Sequence, residues 1–308
     1  MPELPEVQTT VNGLNQCVTG QKITDVWTSY DSPFHKSKEN IKNPLYFKRF
    51  KQDVIGSKIV SASRRAKNIL VHLNNNKTIL VHMKMTGHIL YGKYGFHDKK
   101  WLATEDEALK DPFNQYIRLV FSLSDGKQLA LSDMRKFAKV TLLDTETLFE
   151  SEHLFGAGPE PLEPAFTLPV FKERIMKRPN GKIKTVLIDQ TLIAGIGNIY
   201  SDEILWRAGV HPEERVHNID DVTLKKMYTA VKATLKKGID FGGDSMSDYR
   251  NIFGERGKFQ EQHNAYRRTG KPCKKPSCKG VITRKVVGGR SAHFCSIHQK
   301  LSKIEAKK

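Results

Sequence analysis

The spacing of hydrophobic positions changes character twice along the chain. From Pro5 it is helical: Leu4, Val7, Val11 and Leu14 recur on one face, proline is tolerated at the first helical position, and Glu6 suits the positive end of the dipole. Residues 1–4 then form a short arm leading into that helix. Beyond Gly20 the pattern becomes alternating or β-branched, in "KIVSAS", "NILVHL", "KTILVHM", "YIRLVFSL" and "KQLALSD". Turn residues separate these segments, with Asn74-Asn75-Asn76 and Asp125-Gly126 as the clearest hairpin signals. The region up to about residue 145 therefore reads as an antiparallel β-domain, interrupted by the polar excursion "HDKKWLATEDEALKDP".

A run rich in glycine and proline, "GAGPEPLEPAF" from Gly156 to Phe166, marks the second change. After it Leu224, Met227, Tyr228, Val231 and Leu235 lie on one helix face, with Gly238 placed to end that helix. The expected class is α+β. The expected divisions are an N-terminal β-domain at 1–150, a hinge at 151–165, a helical domain at 166–262, and a cysteine-bearing segment with a basic tail at 263–308. No internal repeat is present.

Length and charge narrow the partners. A chain of 308 residues usually divides into two cores. Its 51 Lys and Arg outnumber 33 Asp and Glu, a formal net charge of +18, which favours a polyanion: nucleic acid first, an anionic membrane second. No apolar run is long enough to span a bilayer, and the start lacks the basic-then-apolar pattern of a secretory leader, so the expectation is a soluble, intracellular protein without a membrane partner.

Cysteine usage adds a metal. Cys273 and Cys278 have four residues between them, sixteen more precede Cys295, and His298 follows after two. Two short ligand pairs joined by a hairpin-length segment suit one structural, tetrahedral zinc per chain with three thiolates and an imidazole, leaving no open position for catalysis. His293 competes as the fourth ligand. "VITRKVVGGRSAHF" alternates around Gly288-Gly289, as a hairpin would, and puts Arg290 just beyond the turn. Cys17, alone on the first helix, reads as a small core side chain.

Seven segments carry a resemblance when taken in order: "MPELPEV" at the start, "RRAKNIL" from Arg64, "HMKMTG" from His82, "SDMRKF" from Ser132, "GPEPL" from Gly158, "GIGNIYSDEILWRAGVHP" from Gly195, and "GGRSAHFC" from Gly288. Together they strongly resemble the formamidopyrimidine-DNA glycosylase and endonuclease VIII family of base-excision repair enzymes, and the formamidopyrimidine branch most. The resemblance implies an N-terminal antiparallel β-sandwich with flanking helices, a hinge, a helix-two-turn-helix domain and a zinc-finger hairpin, acting on damaged double-stranded DNA, with a monomer expected. It also implies that Met1 is removed so that Pro2 becomes the nucleophile.

That chemistry suits the residue types. A chain-terminal amine, with a reference pKa of about 7.7–8.0, keeps an appreciable neutral fraction at pH 7, where lysine at about 10.4 does not. Attack of a secondary amine on the sugar C1′ displaces the base and leaves a cationic iminium, an electron sink for β- and δ-elimination. By the same resemblance Glu3 is the acid/base, Glu6 a further catalytic carboxylate or simply a helix cap, and Lys67 the lysine at the lesion phosphate. Met85, Arg135 and Phe137 match the side chains that fill the gap left by a flipped nucleotide. His82, Lys184, Asn198 and Arg290 match phosphate contacts, and "SMSDYRNIFGERGKFQ" from Ser245 matches the loop covering the extruded base.

The chain departs from the family pattern in its wider first cysteine pair, in His298 where cysteine is usual, and in extra length at "SPFHKSKENIKNPLYF" and at 93–112. The expected substrates are oxidised purines, 8-oxoguanine and formamidopyrimidines. One alternative is an endonuclease VIII-like preference for oxidised pyrimidines; another is a non-catalytic zinc-finger DNA-binding protein.

Overall fold

The computed structural model describes residues 1–30 and 38–302. Part of the added segment after Asp31 and the last six residues of the basic tail lie outside the described residues. Packing divides the chain into two units, Met1–Phe155 with Phe241–Gln260, and Gly156–Asp240 with the chain from Glu261 onward. The fold is α+β, antiparallel sheets in the first unit and mainly helices in the second.

The first unit opens with α1 (Leu4–Cys17), followed by β1 (Ile23–Thr28) and α2 (Pro44–Val54). Then come β2 (Ile59–Arg65), β3 (Asn68–Leu73), β4 (Lys77–His82), β5 (His88–Gly92), β6 (Tyr94–His97), β7 (Lys100–Ala103), β8 (Ile117–Leu123), β9 (Gln128–Ser132) and β10 (Lys139–Asp144). Two four-stranded antiparallel sheets result, in the orders β1-β8-β9-β5 and β10-β4-β3-β2. Their inward positions share one core: Val26, Leu119, Phe121 and Leu131 from one sheet meet Ile69, Val71, Ile79 and Val81 from the other, and α1 adds Val7, Val11 and Leu14. This is a β-sandwich, and each of the five strand-like sequence segments lies in it. The polar excursion folds as the small hairpin β6–β7 and two short 3₁₀ turns.

The segment Phe241–Gln260 belongs to this unit because Ile252 is buried in the sandwich core and its carbonyl accepts the Tyr91 amide at 2.7 Å. A linear division at the glycine-rich run assigns these residues to the other half; packing does not.

The second unit contains α3 (Leu168–Met176), α4 (Ile183–Ile188), α5 (Asn198–Ala208), α6 (Asp221–Asp240) and the hairpin β11 (Ile282–Val287) with β12 (Arg290–Cys295). Gly238 does not end α6: it stays helical and buried, and the chain turns only at Gly242 and Gly243, where φ reaches 70° and 82°. A helix stop needs the left-handed conformation, and those two glycines supply it. Among the described residues no helix is long and apolar enough to cross a membrane.

Candidate active site and nucleic-acid interface

One end of the sandwich gathers the N-terminal residues singled out by sequence. β4 leaves one sheet and β5 enters the other through residues 83–87; β9 and β10 make the reverse crossing through 133–138. The pairs His88↔Ser132 and Lys139↔His82 put both crossings at the same end. The two-residue turn between β2 and β3 also lies there, since Ile69 pairs with Val81 one residue before His82. The Arg64 guanidinium donates to Gln8 Oε1 at 3.0 Å, which brings the start of α1 to this end as well.

Glu3 is the N-cap residue of α1, and Pro2, Glu3 and Glu6 are all buried. The Glu3 amide donates to Glu6 Oε2 at 2.7 Å, fixing the arm on the helix start. The other Glu6 oxygen accepts the Asp244 amide at 2.7 Å, and Tyr249 and Thr10 hydroxyls both donate to the Glu6 carbonyl at 2.9 Å. Both Glu6 carboxylate oxygens accept backbone amides, as a helix cap's would, and they join the N-terminal arm to the segment expected to cover the extruded base.

Lys67 follows Ala66, whose φ of 53° makes the tight turn, and is only 6% exposed. His82 Nδ1 accepts the Lys84 amide at 3.0 Å, leaving Nε2 to carry the ring proton. Burial first, then the neighbouring Lys84 and Lys67 cations, push its pKa down to about 3, so it stays a neutral N–H donor at physiological pH.

Met85, Arg135 and Phe137 stand out from the same end, the two apolar side chains 39% and 47% exposed. Large apolar side chains held outward on tight loops need a cause, and Asp133 provides it. Fully buried, it accepts from Thr86 Oγ1 at 2.5 Å on one oxygen and from the Tyr30 hydroxyl and Ala138 amide, both at 2.8 Å, on the other. Thr86 also accepts the Arg135 amide at 3.1 Å, so the two crossings form one rigid edge. Bonds to a buried carboxylate contribute on the order of 1.5–3 kcal/mol each. The Arg135 guanidinium lies 4.4 Å over the Phe137 ring. Tyr30, Thr86 and Asp133 were missed by sequence reasoning, although Asp133 and Thr86 sit inside the quoted motifs.

The covering segment has a second anchor in the excursion. Arg250, 3% exposed, pairs with Asp111 at 3.1 Å and stacks over Phe113, while Asn114 donates to the Gly254 carbonyl at 3.2 Å.

In the second unit α5 begins at Asn198 after the "GIG" turn, which Gln190 braces by accepting the Gly195 amide at 2.9 Å and donating to the Ile196 carbonyl at 2.7 Å. Asn198 Oδ1 is buried with no hydrogen-bond partner among the described residues. Amide oxygen and nitrogen exchange places readily, so this side chain can turn an N–H toward an anion at the helix start. Lys184 is corrected: it is fully buried, and Nζ donates to the Asn198 carbonyl at 3.0 Å, Ser201 Oγ at 2.8 Å and Asp202 at 2.6 Å. It braces the helix start from within and has no path to a phosphate.

Asp202 extends the brace to the hairpin, its second oxygen accepting from the His293 amide and Nδ1 at 3.0 and 2.8 Å. His293 is not among the side chains whose donor atoms converge. Cys273, Cys278, Cys295 and His298 instead bring their donor atoms within 4.8 Å of one another. The Cys273–His298 and Cys278–Cys295 donor separations are 3.4 and 3.6 Å. A tetrahedral zinc with Zn–S near 2.3 Å needs edges of about 3.5–3.8 Å, so the donors fit. His298 Nε2 donates to the Trp206 carbonyl at 3.1 Å, which leaves Nδ1 for the metal. Gly280 completes the pocket, since a Cβ there would lie 2.4 Å from Cys295 Sγ. Gly288 and Gly289, with φ of 56° and 74°, make the hairpin turn, and Arg290 is exposed directly after it.

Comparison with known proteins shows the family. The formamidopyrimidine-DNA glycosylase N-terminal domain model matches residues 1–140, and the H2TH domain model of the same enzymes matches residues 157–250. The chain belongs to the formamidopyrimidine-DNA glycosylase family. A relative named formamidopyrimidine-DNA glycosylase from Bacillus subtilis is 37% identical over 96% of this chain and 98% of its own. Another of that name, from Pelotomaculum thermopropionicum, is 35% identical over 98% and 100%. Among solved structures, Lactococcus lactis Fpg with an abasic-site-containing DNA has a TM-score of 0.81 at 28% identity, covering 97% of this chain and 99% of that one. A mutant of the same protein with a Fapy-dG-containing DNA also has a TM-score of 0.81, at 29% identity over 97% and 100%. Membership in the glycosylase family accounts for the order of the motifs, while the Asp111–Arg250 anchor comes from the excursion that lengthens this chain.

Proposed function

We propose that the protein is a bifunctional DNA glycosylase and abasic-site lyase of base-excision repair, acting as a monomer on oxidised purines in duplex DNA. The observation that carries this reading is the buried carboxylate of Glu3 beside Pro2, held at a helix start by Glu6. A protein that only binds DNA has no use for that pair. With Met1 removed, the neutral Pro2 nitrogen attacks C1′, the glycosidic bond breaks, and the base departs with the bonding electrons and a proton. Glu3 supplies a proton to the opening sugar ring and then moves protons as the iminium drives β- and δ-elimination of the two phosphates. Lys67 and the neutral His82 N–H hold the flanking phosphates, while Met85, Arg135 and Phe137 occupy the vacated stack. Asn198 and Arg290 make the second unit's phosphate contacts. Three thiolates and His298 hold one structural zinc, which when bound fixes the finger hairpin.

Cleavage of defined duplexes tests the substrate. Strand scission is expected at 8-oxoguanine and formamidopyrimidine lesions; strong activity on thymine glycol with none on 8-oxoguanine would overturn the purine preference. Chelation of the metal is expected to weaken DNA binding at least about tenfold while the sandwich amides keep their hydrogen-exchange protection, because the ligands all belong to the second unit. Loss of protection throughout the first unit would contradict it.

A further inference from the structure

The excursion at 93–112 builds a groove that the proposed chemistry does not use. Its hairpin turns at Asp98 and Lys99, both in the left-handed region at φ 47° and 62°, between the paired His97 and Lys100. Trp101 anchors it, its ring centroid 6.2 Å from Trp27 and 5.3 Å from Phe96. Beneath lies an open groove of about 490 Å³ whose lining includes Ser29, Lys99, Lys100, Trp101, Tyr116 and Arg118, three cations and no carboxylate.

These cations are uncommitted. Of the neighbouring carboxylates Glu105 pairs with Lys93, Glu107 with Lys110 and Asp111 with Arg250; Asp98 adjoins Lys99 at the turn but does not line the groove, and Lys99 and Lys100 have no ion pair among the described residues. Arg118 donates Nε to the Asp133 carbonyl at 3.1 Å, and its terminal nitrogens have no bond to a described residue. Two buried polar atoms of the lining, Ser29 Oγ and Trp101 Nε1, also lack partners. A buried donor left unmade is costly, and a ligand acceptor would relieve it.

Position selects the occupant. The Tyr116 carbonyl accepts the Asp133 amide at 2.8 Å, so the groove adjoins the loop that carries Arg135 and Phe137. We propose that the groove is an additional DNA-contact site, taking the duplex flank beyond the lesion, with phosphates on Lys99, Lys100 and Arg118 and a deoxyribose face against Tyr116. This rests on the reading of the Arg135–Phe137 loop as a DNA-entering element. An acidic peptide would satisfy the charges but has no reason to begin at that loop.

The test replaces Lys99 by Asn, which tolerates the left-handed turn, and Lys100 by Gln. Binding is measured on duplexes with an uncleavable abasic analogue, with long flanks or with flanks trimmed to a few base pairs, across a salt series. For the K99N/K100Q variant the expected result is at least about fivefold weaker binding to the long duplex. The slope of log affinity against log salt becomes shallower by about 1–2, near 0.9 per lost phosphate contact, and trimmed-duplex affinity stays within about twofold. An unchanged slope, equal loss on both duplexes, or loss of polyglutamate binding without loss of DNA binding overturns the proposal. An unchanged melting temperature verifies the fold. Arg135→Ala tests the underlying reading separately: if it leaves lesion-duplex affinity intact, that reading fails whatever the lysine variant does.

Discussion

Borohydride reduction on an abasic duplex is expected to trap the processed protein covalently, and a chain carrying an uncleaved N-terminal extension is expected to give no adduct. The cause is the state of one nitrogen. Behind any preceding residue the Pro2 nitrogen is an amide whose lone pair is delocalised into the carbonyl, and it cannot form an iminium. Freed, it is an amine, and base release should rise with pH as that amine deprotonates, from a reference near 7.7–8.0. The expected loss in the extended chain is at least about a thousandfold in base release, well beyond any effect on binding. Glu3→Gln should lower the same rate by about 10²–10⁴, the usual range for a positioned proton donor. The readouts are adduct yield on a denaturing gel and single-turnover base release. A full adduct from the extended chain would place the nucleophile elsewhere.

Much of this site was legible in the sequence, and the reason is local. Pro2, Glu3 and Lys67 were singled out by short motifs that resemble the family's, and they sit at a helix start and a two-residue turn, features written in a few adjacent residues. The strands were legible because period-two alternation and Asn or Gly turns are equally short-ranged. What escaped was every contact joining distant segments. Glu6 meets Asp244 across 238 positions, and Asp133 gathers Tyr30 from 103 positions away, so no window contains both partners. Ile252 draws the covering segment into the sandwich for the same reason: one apolar residue in a polar loop carries no periodicity. Lys184 misled through the resemblance. A motif match gives a position in the chain and not a side chain's exposure, and its burial against Asp202 is visible only in the fold.

That correction leads to the second large effect. Asp202→Asn is expected to destabilise the second unit by about 3–5 kcal/mol, the usual cost of removing one member of a buried ion pair. Asp202 is 1% exposed, and the groups it serves, the Lys184 ammonium and His293, are 0% and 6% exposed. Without the carboxylate charge the ammonium keeps only neutral acceptors, the Asn198 carbonyl, the Ser201 hydroxyl and the new amide oxygen, which do not compensate a buried cation. The loss should register at both ends of the network, as faster hydrogen exchange in the first turns of α5 and in the β11–β12 hairpin. Lys184→Met separates this brace from the phosphate contact that the resemblance implies. A brace predicts a marked loss of stability with the salt slope of DNA binding unchanged in the folded protein. A phosphate contact predicts native stability and a slope shallower by about 0.9. Pairing Lys184→Met with Asp202→Leu should recover part of the stability lost by either single variant, because the uncompensated charge is then gone and apolar replacements of a buried pair are often tolerated. His293 limits that recovery, since its Nδ1 would still lose its acceptor.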